Sequence, residues 1–265
     1  MDADCSRPHP FARRARNASA AAALLAISLT AASCAQAPPA NAKSVGEIPA
    51  PAGYARPAPA EGSFGAYLAA LPLKPDKSIK DWRGGSIGHF DVLAVIDKPM
   101  LYQQDLEQCA DWCMRHWADF HAAKGDAALK RLSLFKYDGS PDRFASSGKD
   151  FKEFLRLAMA FSNSHSIKKG AQKVDPADLR PGDMIVQNET GGIGHVSMVL
   201  AKAEKPGAEP VFLIGFSFMP AQEFHIERAG ASQGEAGWFT LAGFQAWLKQ
   251  NLDVGEPVLR RFPEG

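Results

Sequence analysis

Apolar positions follow two different periods along this chain, and the switch between them divides it. From Ser63 to Phe161 they recur mainly at steps of three and four, the spacing of one helical face. Phe64, Tyr67, Leu68 and Leu71 fit such a face, and Pro72 ends it. Leu106, Cys109, Ala110, Cys113, Trp117 and Phe120 make a longer stripe. That helix is expected to start at Asp105, where Gln108 three residues on completes a capping box, and to end near Gly125. Phe154, Leu155, Leu157 and Ala158 mark the inner side of a third helix, Phe151 to Phe161. Asp91 to Ile96 is a strand candidate within this half, and Leu132 to Tyr137, closed by Asp138-Gly139, a short strand or extended loop.

Past residue 178 the pattern shortens. Met184 to Val186, Val196 to Ala201, Pro210 to Phe218 and Glu223 to Glu227 are brief β-prone runs separated by Gly, Asn and Pro. Leu241 to Leu252 returns to a helical period with Phe244, Trp247 and Leu248 inside, and Pro257 to Arg261 reads as a last strand. Helices first and an antiparallel meander afterwards predict an α+β fold, with helices packed on a small antiparallel sheet.

Composition narrows the function classes. The 265 residues are 46% hydrophobic, enough for one domain with a proper core. Thirty basic against twenty-nine acidic residues leave a net charge of +1, so no basic footprint for nucleic acid exists. Four cysteines, Cys5, Cys34, Cys109 and Cys113, are too few for a disulfide scaffold.

The first 34 residues have the parts of an export signal. Arg13, Arg14 and Arg16 precede the apolar stretch Ala18 to Ala32, which is too short for a stable membrane span. Leu29-Thr30-Ala31-Ala32-Ser33-Cys34 is similar to a bacterial lipobox, in which Cys34 would be lipidated and the lipid would be the only membrane contact. Ala35 and Gln36 carry no acidic inner-membrane retention signal, which points to the outer membrane of a Gram-negative cell envelope. The alternative is cleavage after Ala37 and plain secretion. Residues 35–62, rich in Ala and Pro, are expected to be a tether, and 63–265 a single domain.

Candidate chemistry rests on two residues. Cys109 falls in the first turn of its helix, where the dipole and free N–H groups favour a thiolate. His195 stands at the mouth of a strand beside the Gly191 to Gly194 break, half held and half in solvent. A histidine base that deprotonates a cysteine is the layout of a thiol hydrolase. The alternative for Cys109 is a small buried hydrophobe, and for His195 a surface residue. A hairpin centred near Pro206 would set Ser217 opposite His195 as its orienting partner, with Gln222 the second choice; a slip of one would put Phe216 or Phe218 there. Cys109, Cys113 and His116, with His121 near, also offer a minor zinc reading, but the aromatic stripe around them looks like core and no metal or other cofactor is expected. Asp111 and Arg115 read as a solvated face, and His89, His165 and His225 as isolated.

The segment Leu179 to Leu200, with Pro-Gly-Asp, a strand and then Gly-His-Val, resembles the histidine motif of the NlpC-type cell-wall peptidases, a papain-like superfamily. Their cysteine sits in an Asp-Cys-Ser-Gly context, where this chain has Gln108-Cys109-Ala110-Asp111. A second resemblance covers residues 62 to 262 and concerns an uncharacterised bacterial family of secreted proteins and lipoproteins, domain of unknown function 4846. Its matching pieces are Tyr67-Leu68, Leu71-Pro72-Leu73, Asp105 to Asp111, Pro181-Gly182-Asp183, Gly194-His195 and Ser217 to Gln222. That family has an aliphatic residue where Cys113 stands. The first resemblance implies a papain-like fold and a cysteine hydrolase, peptidase or amidase, acting on peptidoglycan or an envelope peptide; the second implies no activity. Cys109 would be the nucleophile, His195 the base, and Ser217 or Gln222 the orienter. The alternative is a non-catalytic envelope lipoprotein that keeps a degenerate hydrolase fold for binding.

Overall fold

The computed structural model describes residues 42–263. The arginines before residue 17, the apolar stretch, Cys34 and the first residues of the expected tether lie outside the described residues.

The rest of the Ala/Pro-rich segment is not a free tether. Val45 and Ile48 are buried in the core, and Ala55 pairs with Glu204. Arg56 donates to the carbonyls of Val45, Gly46 and Ile48, so its guanidinium ties the segment into a loop on the domain surface. The folded unit therefore includes residues from 42 on. The two aliphatic side chains are too widely spaced to make a period, and they were hidden by their proline-rich surroundings.

The elements follow in chain order. Helix α1 (Phe64–Ala69) is capped by Ser63 and followed by the strands β1 (Ile79–Lys80), β2 (Ser86–Ile87) and β3 (Val92–Val95). Helix α2 (Cys109–Ala123) and a short α3 (Asp126–Leu129) lead to the hairpin of β4 (Ser133–Phe135) and β5 (Pro141–Arg143). Helices α4 (Phe144–Ser147), α5 (Phe151–Phe161) and α6 (Ser164–Gly170) come next, with β6 (Gln172–Lys173) after them. The meander then runs through β7 (Met184–Asn188), β8 (Gly194–Ala203), β9 (Val211–Phe216) and β10 (His225–Glu227). The pair β11 (Gly234–Glu235) and β12 (Trp238–Thr240), helix α7 (Leu241–Asn251) and β13 (Val258–Arg261) finish the chain.

Nine strands form one antiparallel sheet with the path β11-β12-β9-β8-β7-β13-β6, and β10 joins β3 to β9. An α+β fold with helices on an antiparallel sheet is what the sequence pattern predicts. The sheet separates two apolar clusters. One face carries Val186, Val196, Met198, Leu200 and Leu213, packed against Trp112, Cys113 and Met114 of α2, Leu155 of α5 and Ile167 of α6. The other carries Ile185, Val199, Ile214 and Phe216, packed against Phe244, Trp247 and Leu248 of α7.

Helix α2 starts three residues later than the capping pattern predicts. Gln108 is its N-cap, and the reciprocal box is made by Gln108 and Asp111. Asp105 instead accepts from Gln108 Nε2 at 3.0 Å and from the Ala221 N–H at 2.6 Å, so it ties the helix entry to the segment after β9. Asp111 and Arg115 are buried rather than solvated. Arg115 pairs with the fully buried Glu107 and lies 4.7 Å from the Trp112 ring. A charge on the inner side of a helix escapes a periodicity reading when its partner precedes the helix.

The turn Pro181-Gly182-Asp183 holds Gly182 at φ +97°, where a Cβ would stand 2.5 Å from Phe64 Cδ1. Asp183, buried below it, accepts two bonds from Arg261 of β13. The turn thus fixes α1 against the start of β7.

Candidate functional site

The thiol and the imidazole occupy opposite faces of the sheet. Cys109, the first residue of α2, lies in the cluster with Val196 and Met198, and a main-chain hydrogen bond reaches its sulfur from Val196. His195 is the residue before Val196, and side chains of successive strand residues point to opposite faces. Its ring lies 5.0 Å from that of Phe216 and 5.8 Å from that of Phe218, on the α7 side. Its Nε2 is 2.9 Å from Ser197 Oγ, two residues along the same face. The backbone of β8 therefore stands between sulfur and imidazole, and the expected dyad of Cys109 and His195 is corrected.

Neither group has the electrostatics of a dyad. Burial pushes the Cys109 thiol up to about 12, and Asp111 adds to the rise against the Val196 hydrogen bond. The helix start does not rescue the thiolate, because Gln108 already occupies an N–H of the first turn and the site is dry. Burial lowers His195 to about 3, so its imidazole is neutral. It is fully buried, not half in solvent.

The orienting partners are corrected for a reason of register. Ala203 pairs with Val211 and Ala201 with Leu213, a turn centred on Gly207 rather than Pro206. A bulge between Val199 and Ala201 then takes up one residue, and Met198 pairs with Gly215. Continuing this ladder sets His195 level with Phe218. The one-residue offset sends Ser217 to the other face. There Ser217 Oγ donates to the Gln222 carbonyl at 2.8 Å, which also accepts from Trp112 Nε1 at 2.9 Å. Gln222 is buried with no side-chain hydrogen bond, and none links it to His195. Ser217 and Gln222 therefore hold the segment after β9 onto α2, together with the Asp105 bond to Ala221.

Two residues that the sequence marks as unrelated turn out to matter on the His195 side. His225 pairs in register with Phe216 and its ring lies tilted at 4.7 Å from that of Phe90, with Glu227 Oε2 3.3 Å from its Nε2 but not aligned for a hydrogen bond. Burial lowers His225 to about 3 and raises Glu227 to about 8. A period-two reading of Glu223 to Glu227 puts His225 and Glu227 on one face, which was the available signal.

Among the described residues no three His, Cys, Asp or Glu side chains are arranged to hold a metal, which removes the zinc reading of Cys109, Cys113 and His116. Both cysteines are free and buried.

A concavity lies at the far end of α2. A cavity of about 610 Å³ opens between the segment Pro57–Ser63, the C-terminal half of α2, the Pro181-Gly182-Asp183 turn and Arg261. Trp117 and Phe120 of α2, Phe64 and Phe262 line it, with Trp117 and Phe262 stacked at 5.3 Å. His121 lines it too; its Nδ1 lies 2.8 Å from the Ala128 carbonyl, and burial lowers its pKa. Its volume suits a small-molecule ligand. Cys109, His195, Ser217 and Gln222 do not line it.

No curated protein and no solved structure matches the chain. Residues 133–251, a stretch that contains His195, Ser217 and Gln222 and begins after Cys109, match the model of an uncharacterised family described as domain of unknown function (4846).

Proposed function

We propose that this chain is a non-catalytic ligand-binding domain of the bacterial cell envelope. A cysteine-headed helix on an antiparallel sheet is the feature that invites comparison with the papain-like hydrolases, and the dyad is what this reading takes to be lacking. The observation that carries this reading is the separation of Cys109 and His195 by the backbone of β8. A thiol hydrolase needs base and nucleophile within hydrogen-bond reach, and a thiolate populated near neutral pH. The envelope location rests on the arginine-rich start and the lipobox ending at Cys34. The occupant of the cavity would then be a wall or envelope component, bound rather than cleaved.

Thiol chemistry tests the reading. Iodoacetamide should alkylate Cys109 in the native protein far more slowly than in urea, and His195→Ala should leave that rate unchanged. Rapid labelling below pH 8 that disappears in His195→Ala would restore the hydrolase.

A further inference from the structure

Resting on the reading as a binding domain, we infer that the cavity beside the Pro181-Gly182-Asp183 turn takes a small organic anion with an apolar body, such as an aliphatic carboxylate.

The walls supply the apolar part. Phe64 meets Trp117 edge-on at 5.1 Å and Phe120 at 5.3 Å, so the aromatic wall is rigid and needs little ordering when a ligand arrives. The rim supplies the charge. Arg56, Lys124, Arg131, Arg180, Lys202 and Arg261 line the cavity against three acids, Asp178, Asp183 and Glu204. The whole chain has thirty cationic and twenty-nine acidic residues, so positive charge is concentrated here. Two of the acids are already neutralised, Asp183 by both arms of Arg261 and Glu204 by Lys202 at 2.8 Å.

Lys124 and Arg131 differ from the other cations. Lys124 Nζ donates to the Gly62 carbonyl and lies 5.1 Å from the centre of the Phe120 ring. Arg131 donates to the Ala127 carbonyl. Among the described residues no carboxylate pairs with either. The C-terminus of α2 turns its partial negative charge toward this end, and these two cations offset it. A cleft with apolar walls and an excess of cations over acids at its mouth focuses the field on an incoming anion. A cationic ligand would meet the same field as a barrier. His121 adds no charge, because burial keeps it neutral.

Calorimetric titration with sodium decanoate tests the inference on the mature chain. Decyltrimethylammonium serves as a control with the same tail and the opposite head. Decanoate should bind and the ammonium should not. The double variant Lys124→Gln/Arg131→Gln should weaken decanoate about tenfold, the loss expected for two partly screened charge contacts. Both side chains are exposed, so an unchanged melting temperature should certify the fold. Equal binding of the two heads, an undiminished affinity in the double variant, or binding of triglutamate in place of decanoate would overturn the assignment. Absence of decanoate binding while Cys109 stays inert would sink the anion assignment and leave the binding-domain reading standing. Fast, His195-dependent alkylation of Cys109 would sink that reading whatever decanoate does.

Discussion

Glu107→Ala will lower the unfolding free energy by about 3–5 kcal/mol in urea titrations, the usual cost of removing one partner from a buried ion pair. Glu107 is fully buried and Arg115 nearly so. The carboxylate accepts from Arg115 with one oxygen and from the Leu101 and Tyr102 N–H groups with the other. Alanine would strand a guanidinium over Trp112 and leave two amides without acceptors. Asp119, 3.5 Å from Arg115 Nε but already engaged by Lys98 at 2.8 Å, cannot replace it. Because the pair joins the entry segment to the middle of α2, Cys109 should become alkylable in the same variant as the helix start loosens. A loss under about 1 kcal/mol, the scale of an exposed pair, would mean that water reaches Arg115.

The polar seam between the sheet and α7 will contribute most to stability near pH 6.5 and less on both sides. His195 and His225 stay neutral in the folded protein down to about pH 3, while the unfolded chain takes up protons below its ordinary value of 6.5. The unfolded state then binds more protons, so stability drops as pH falls below 6.5. Glu227 works in the opposite sense. Burial beside His225 outweighs the hydrogen bond it accepts from the Asp91 N–H, so it keeps its proton to about pH 8, while the unfolded chain releases it above its ordinary value of 4.5. Folding therefore takes up a proton between those values, and stability is lost as pH rises. Within this seam the two histidines outweigh the acid between 4.5 and 6.5, and above 6.5 only Glu227 still contributes. The fall from pH 6.5 to 8 is on the order of 2 kcal/mol, at about 1.4 kcal/mol for each pH unit over which the proton uptake is complete. Chemical denaturation across this range in wild type and Glu227→Gln isolates the effect. The variant, uncharged throughout, should lose that part of the alkaline decline and keep the acid one. A difference between wild type and Glu227→Gln that does not change from pH 6.5 to 8 would show that Glu227 is ionised in the native state.

The fold was largely legible because its strongest elements bury a regular face. The periods of Phe151–Phe161 and of the runs after Pro181 mark α5, β7, β8 and β9 closely. What failed was anything decided by a single residue of register. The bulge between Val199 and Ala201 carries no Gly or Pro to announce it, yet it fixes which face Ser217 takes. Cys109 does head a helix, as expected, but whether a helix start faces water or core depends on tertiary packing that no local pattern encodes. Arg115 and Asp111 read as solvated for the same reason. The cavity was not legible at all, since it is assembled from α1, α2, the Pro57–Ser63 segment and the last strand. Only the Pro181-Gly182-Asp183 turn within it carried a signal, and that signal suggested a strand start rather than a binding wall.

The protonation state of His195 tests the central claim most directly. Ring-carbon chemical shifts of selectively labelled histidine, followed from pH 5 to 8 in wild type and Cys109→Ser, should show His195 neutral throughout and indifferent to the substitution. An imidazolium at pH 7 that loses its proton when Cys109 becomes serine would establish a thiolate–imidazolium pair and contradict the separation of the two residues by the sheet.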